Sequence, residues 1–174
     1  MHLIVADAER CMACRTCELS CAVGRASISK NLIEAAREAP LPRPRVQVRG
    51  GEGWQIALHC RHCTSAPCLE ICSTGALQRD GESDVVFLQE DRCIGCWMCV
   101  MVCPFGLVRP NTELGRAWKC DGCFNMEEPF CVASCPTKAL TIKDTEDDSL
   151  ITEKIAVWAQ IAAGIGNPWK KEEV

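Results

Sequence analysis

Apolar positions in this chain come in short runs broken by turn residues, a pattern that predicts small paired strands and few long helices. Residues 2–6 are one such run. Residues 29–38 look helical instead, with Leu32, Ile33, Ala35 and Ala36 apolar and Ser29 available as N-cap; Pro40, Pro42 and Pro44 stop the helix. Those prolines, interleaved with Arg43 and Arg45, hold the next segment extended. It leads into a hairpin of 46–49 and 54–58 around Gly50-Gly51-Glu52-Gly53. A second hairpin pairs 76–78 with 85–88 around Arg79-Asp80-Gly81, and a third pairs 107–109 with 116–119. Residues 140–143 read as a short closing strand.

Beyond residue 143 the pattern changes. Asp144, Glu146, Asp147 and Asp148 form an acidic linker, after which Ile151, Ile155, Trp158, Ala162 and Ile165 mark one face of a helix over 149–166, ended by Gly164, Gly166 and Pro168. That stripe packs either on the chain's own domain or on a partner subunit, a second copy of this chain included. Both readings stay open at this point.

The chemistry lies in the cysteines. Sixteen of the 174 residues are cysteine, and they fall into four groups of four with none left over. The groups are Cys11, Cys14, Cys17, Cys21; Cys60, Cys63, Cys68, Cys72; Cys93, Cys96, Cys99, Cys103; and Cys120, Cys123, Cys131, Cys135. The first and third have the C-x2-C-x2-C-x3-C spacing of bacterial ferredoxins, in which three close thiolates wrap one cubane and the fourth ligates its neighbour. The second and fourth lengthen the middle gap without changing the number of thiolates. Sixteen cysteines therefore complete four [4Fe–4S] clusters. Zinc explains C-x2-C pairs, with His59 and His62 as further candidates, but not the triplets. A disulfide scaffold needs an oxidising compartment, and residues 1–7 carry neither a basic leader nor a long apolar stretch. His59 and His62 read as loop residues covering a cluster. Trp97 and Trp118 read as water-excluding covers rather than electron stations; Arg92, Arg116 and Lys119 could raise a cluster potential, but solvated surface charges are the commoner case.

Composition sharpens this picture in two ways. Aromatic content is 5% with no tyrosine, so the apolar side chains have clusters rather than an aromatic core to pack around. The net charge of −4 falls to about −12 when four oxidised clusters are added, which argues against nucleic acid as a partner. No stretch approaches the ~20 consecutive apolar residues of a membrane span. Reduced thiols and the missing leader point to the cytoplasm. Neither a Ser-His-Asp set nor a phosphate-binding glycine loop accompanies the cysteines, so the chain reads as a noncatalytic subunit.

The stretches CMACRTCELSC, CRHCTSAPCLEIC, CIGCWMCVMVCPFG and KCDGCFNMEEPFCVASCPTKAL resemble the sixteen-cysteine electron-transfer subunits of complex oxidoreductases. These are the iron–sulfur subunits paired with dimethyl sulfoxide reductase, formate dehydrogenase and hydrogenlyase enzymes, and the carbon monoxide dehydrogenase electron-transfer protein. The segment over 30–35 and the Pro-Leu-Pro-Arg-Pro-Arg after it look most like the carbon monoxide dehydrogenase type. A similar subunit serves tungsten aldehyde oxidoreductases. The resemblance covers roughly residues 1–143. It implies an α+β fold of two ferredoxin-like lobes related by a pseudo-two-fold axis, one from 1–58 plus 115–143 and the other from 59–114, with 144–174 as linker and amphipathic helix. It also implies the ligand sets: Cys11, Cys14, Cys17 with Cys135; Cys120, Cys123, Cys131 with Cys21; Cys60, Cys63, Cys68 with Cys103; and Cys93, Cys96, Cys99 with Cys72. One departure is Ser73, where the family often has proline after the cysteine. The implied partners are a molybdenum, tungsten or nickel catalytic subunit, oxidising an aldehyde, formate or carbon monoxide, and an electron-accepting subunit. The alternative is a free-standing soluble polyferredoxin.

Overall fold

In the computed structural model, residues 2–51 and 53–144 are described. They form an α+β fold of four two-stranded antiparallel ribbons joined by loops and short helices. β1 (His2–Ala6) pairs with β8 (Leu140–Asp144), Ile4 opposite Ile142, and Asp7 N–H continues the ladder to Ala139 O at 2.8 Å. Both strands were legible as apolar runs, but their pairing spans nearly the whole chain and leaves no local signal. The other ribbons are hairpins or near-hairpins: β2 (Gln47–Gly51) with β3 (Trp54–Leu58), β4 (Leu77–Arg79) with β5 (Val86–Leu88), and β6 (Val108–Asn111) with β7 (Arg116–Lys119).

The helices are single turns that carry cysteines. α1 (Thr16–Cys21) holds Cys17 and Cys21 and runs on into a π-helical turn over Ala22–Ala26; α3 (Pro67–Glu70) holds Cys68, α4 (Met98–Val102) holds Cys99 and α5 (Phe130–Ala133) holds Cys131. The exception is α2 (Leu32–Ala35), shorter than the stretch expected over 29–38. Its cap is Asn31, whose side chain accepts from Ile33 and Glu34 N–H, and not Ser29. The Ser29 hydroxyl is drawn instead to Glu38, whose carboxylate also accepts the N–H groups of Ile28 and Ser29. Only Ala35 of this helix is buried. The helix expected over 149–166 and self-association through it lie outside the described residues.

Apolar burial is organised around sulfur. One core packs Val46, Val48, Ala57, Val132, Ala139 and Leu140 with Cys17, Cys21, Cys131 and Cys135. Another packs Ala66, Leu77, Val86, Val108 and Ala117 with Cys99, and the half-buried Cys63, Cys68, Cys72, Cys93 and Cys103 line it.

Close packing at the α1 end demands a glycine. A methyl at Gly24 would sit 2.5 Å from the Phe130 ring, whereas one at Gly81 would meet nothing within 4 Å. Gly24→Ala is expected to cost about 2 kcal/mol through overpacking. Anaerobic denaturation of the loaded protein should show a lower midpoint for it and an unchanged one for Gly81→Ala.

Candidate metal centres

Each group opens with a C-x-x-C pair, and in all four the residue before the second cysteine has a left-handed backbone: Ala13 (φ 56°), His62 (49°), Gly95 (69°) and Gly122 (65°). Such turns aim backbone amides into a concavity that favours negative charge. Gly122 N–H donates to Cys120 Sγ at 3.3 Å and His62 N–H to Cys60 Sγ at 3.5 Å. Strand and loop amides add to this, with Arg45 N–H reaching Cys21, Leu77 N–H Cys72, Ala117 N–H Cys93 and Leu107 N–H Cys103, all at 3.3–3.4 Å. Hydroxyls that sequence reasoning missed do the same. Thr16 Oγ1 donates to Cys14 Sγ at 3.4 Å, and Thr137 and Thr74 lie 3.7 and 3.8 Å from Cys135 and Cys72. The signal was available, since each threonine follows its cysteine by two residues.

The sulfurs converge on cavities that draw on distant parts of the chain. One is lined by Cys11, Cys14, Cys17 and Cys135 with Val48, Ala57 and Leu140. Another is lined by Cys60, Cys63, Cys68 and Cys103 with Val86, Leu107 and Lys119. A third is lined by Cys72, Cys93, Cys96 and Cys99 with Leu77, Leu88 and Trp97. Cys21, Cys120, Cys123 and Cys131 are all buried, and the first three lie close enough to Cys131 for their charges to act on it.

These groupings adjoin in one order. Burial pushes the Cys120 thiol up to about 12, and neighbouring Cys60 adds to the rise; burial lifts Cys99 to about 11, with Cys68 among its neighbours; burial raises Cys131, with Cys17 contributing. The sequence of neighbours is therefore the Cys11–Cys14–Cys17–Cys135 cavity, the buried four, the Cys60 cavity and the Cys72 cavity. Cys14 and Cys96, exposed, stand at the two ends.

The donor chemistry fits iron–sulfur clusters. Among the described residues no three His, Cys, Asp or Glu side chains converge on a single-ion site. Sulfurs spread around a cavity wall suit clusters, in which each iron takes one thiolate, better than a lone tetrahedral ion. Burial raises Cys17, Cys99, Cys120 and Cys131, and the positive charge of a bound iron–sulfur core would offset that rise and favour their thiolates.

Charged residues fasten the loops. Burial works to raise Asp121, but Arg25 and Arg45 overcome it and hold its carboxyl below the ordinary range: Arg25 Nε donates at 2.8 Å and Arg45 Nη1 at 2.7 Å. This ties the long insertion to the fourth cysteine group. Arg45 also lies over the Trp118 ring, 4.8 Å from its centroid, and Trp118 Nε1 donates to Pro44 O at 3.3 Å. Lys119 corrects the expectation of a solvated charge. It is buried, with Nζ donating to Val86 O and, at 2.9 Å, to Cys120 O. Arg92 is exposed, and Arg116 pairs with Glu90 at 2.7 Å.

A model of the 4Fe-4S dicluster domain matches residues 54–145. The chain belongs to the 4Fe-4S dicluster family. Relatives of this 4Fe-4S protein extend the likeness over most of its length. YsaA of Escherichia coli K12 is 40% identical over 148 residues, covering 83% of this chain and 91% of that protein. The electron transport protein HydN of the same strain is 38% identical over 159 residues, 82% of this chain and 88% of HydN. One polypeptide of the anaerobic dimethyl sulfoxide reductase, again from that strain, is 33% identical over 152 residues, 77% of this chain and 69% of that polypeptide.

Removing Asp121 would leave Arg25 and Arg45 facing each other across a largely buried gap. Asp121→Ala is expected to lose about 3 kcal/mol, measured by anaerobic denaturation, with the cluster beside Cys120 and Cys123 the first to bleach on warming.

Proposed function

We propose that this protein is the electron-transfer iron–sulfur subunit of a multi-subunit oxidoreductase, holding four [4Fe–4S] clusters in series. The ligand sets are Cys11, Cys14, Cys17 and Cys135; Cys21, Cys120, Cys123 and Cys131; Cys60, Cys63, Cys68 and Cys103; and Cys72, Cys93, Cys96 and Cys99. When bound, each cluster takes up and gives back one electron shared over its irons. The chain's own part is to hold the sulfurs in a dry lining, to direct amides and hydroxyls at them, and to set the spacing between neighbours. The observation that carries the reading is the single order in which the four cysteine sets adjoin, with an exposed cysteine at each end and wholly buried ones in the second site.

The same reading includes two lobes related by a pseudo-two-fold axis, one from 1–58 plus 115–143 and the other from 59–114. Its support is the presence of two sulfur-lined cores, and the way α1 packs on α5 as α3 packs on α4. The β6–β7 ribbon crosses the boundary between 114 and 115 and ties the lobes together.

HydN is named an electron transport protein, and another relative is part of a dimethyl sulfoxide reductase. That likeness supports a catalytic oxidoreductase partner; our reading goes further and takes it as a subunit built on molybdenum, tungsten or nickel, oxidising an aldehyde, formate or carbon monoxide, with an electron-accepting subunit beside it. The chain itself is noncatalytic and works in the cytoplasm. No helix of the described residues is long and apolar enough to cross a membrane.

Anaerobically purified protein should contain about sixteen irons per chain and titrate near −400 mV, the range of all-cysteine clusters. Stoichiometric zinc with little iron, or reduction of every cluster well above zero millivolts, contradicts the reading. Cys21→Ser should perturb the same paramagnetic signal as Cys120→Ser and leave the signal lost in Cys14→Ser intact. If Cys21→Ser and Cys14→Ser abolish one common signal, the ligand sets are wrong.

A further inference from the structure

Resting on the cluster assignment above, we infer that His62 is a hydrogen-bond donor to the cluster of Cys21, Cys120, Cys123 and Cys131, reaching it from the loop of the neighbouring Cys60 site. His62 sits between Cys60 and Cys63 and is only 4% exposed. His62 lines the Cys60–Cys63–Cys68–Cys103 cavity, and its ring tip also reaches a second cysteine loop. A methyl built on Gly122, inside the Cys120–Cys123 loop, would lie 3.2 Å from His62 Nε2, so the ring tip abuts that loop.

The tautomer follows from the β4–β5 ribbon. Asp80 N–H to Val85 O and Gln89 N–H to Ala76 O fix the ladder so that Arg79 and Val86 form a non-hydrogen-bonded pair, and the N–H and C=O of Val86 point away from β4. Lys119 Nζ donates to that carbonyl. His62 Nδ1 lies 3.1 Å from both the Val86 N–H and the Val86 carbonyl oxygen. The carbonyl already accepts from Lys119, whereas the N–H can only donate and needs an acceptor; with Nδ1 accepting, both Val86 groups are satisfied, and in a neutral imidazole the proton then stands on Nε2. Nε2 is buried without a hydrogen-bond partner among the described residues.

A buried N–H without an acceptor costs about 1–3 kcal/mol. Across the Gly122 loop, the acceptor that chemistry supplies is sulfur, either a cysteine thiolate or a cluster sulfide. Such a bond favours the more negative, reduced cluster and raises its potential. It also makes one residue common to two adjacent sites, because the His62 backbone N–H donates to Cys60 Sγ.

The test is pulsed electron paramagnetic resonance on the reduced whole protein with [15N]histidine, together with redox titrations of His62→Phe and His62→Gln. The wild type should show a histidine nitrogen coupled to a reduced cluster. His62→Phe keeps the ring without the donor. It should retain about sixteen irons while the reduction equilibrium of the cluster assigned to Cys120 falls about tenfold, equivalent to 59 mV for one electron. His62→Gln, with an amide donor, should restore part of that shift. Absence of any histidine nitrogen coupling in the wild type overturns the inference even if the variants fail to fold. So does a fully loaded His62→Phe with unchanged potentials, or with a shift confined to another cluster. Those results leave the four-cluster assignment standing; iron-free wild-type protein overturns both.

Discussion

Everything in this fold depends on burying sulfur that must be negatively charged to bind metal. Burial drives Cys120 to about 12 and Cys17 and Cys99 to about 11, which is the wrong direction for thiolates. Amides supplied by left-handed turns offset part of that cost. The positive charge of a bound iron–sulfur core would offset the remainder. The cysteines sit inside both apolar cores, so the burial of sulfur and the packing of the aliphatic side chains cannot be separated.

The graded environment of the sulfurs follows from the same constraint. Thr16, Thr137 and Thr74 place hydroxyls near Cys14, Cys135 and Cys72, which line two of the sulfur cavities. Burial tends to raise Cys135 and Cys72, yet amide and threonine hydrogen bonds leave both lowered. Elsewhere side chains from other parts of the fold act on the sulfurs: Lys119 favours the charged form of Cys68 and Arg25 that of Cys123, while the Asp121 carboxylate opposes it at Cys120 and Cys123.

Much of this was readable in the sequence because cysteine spacing is local information. Three ribbons were marked by turn residues close to where β2–β3, β4–β5 and β6–β7 lie. What escaped was nonlocal or depended on competition between equivalent side chains. No periodicity announces that residues 2–6 pair with 140–144. Ser29 and Asn31 are both good caps, and only the pull of Glu38 on Ser29 decides between them. Lys119 reads as a surface charge until Val86 turns its carbonyl outward to meet it. Asp121 gave no sign in sequence that two arginines from the insertion would converge on it.

Anomalous diffraction at the iron edge from anaerobically grown crystals tests the central claim most directly. The account predicts four compact iron peaks in a single row, the second ringed by Cys21, Cys120, Cys123 and Cys131 and the third by Cys60, Cys63, Cys68 and Cys103. Fewer than four peaks, an arrangement without that order, or Cys21 bound to the same peak as Cys11, Cys14 and Cys17 would contradict it.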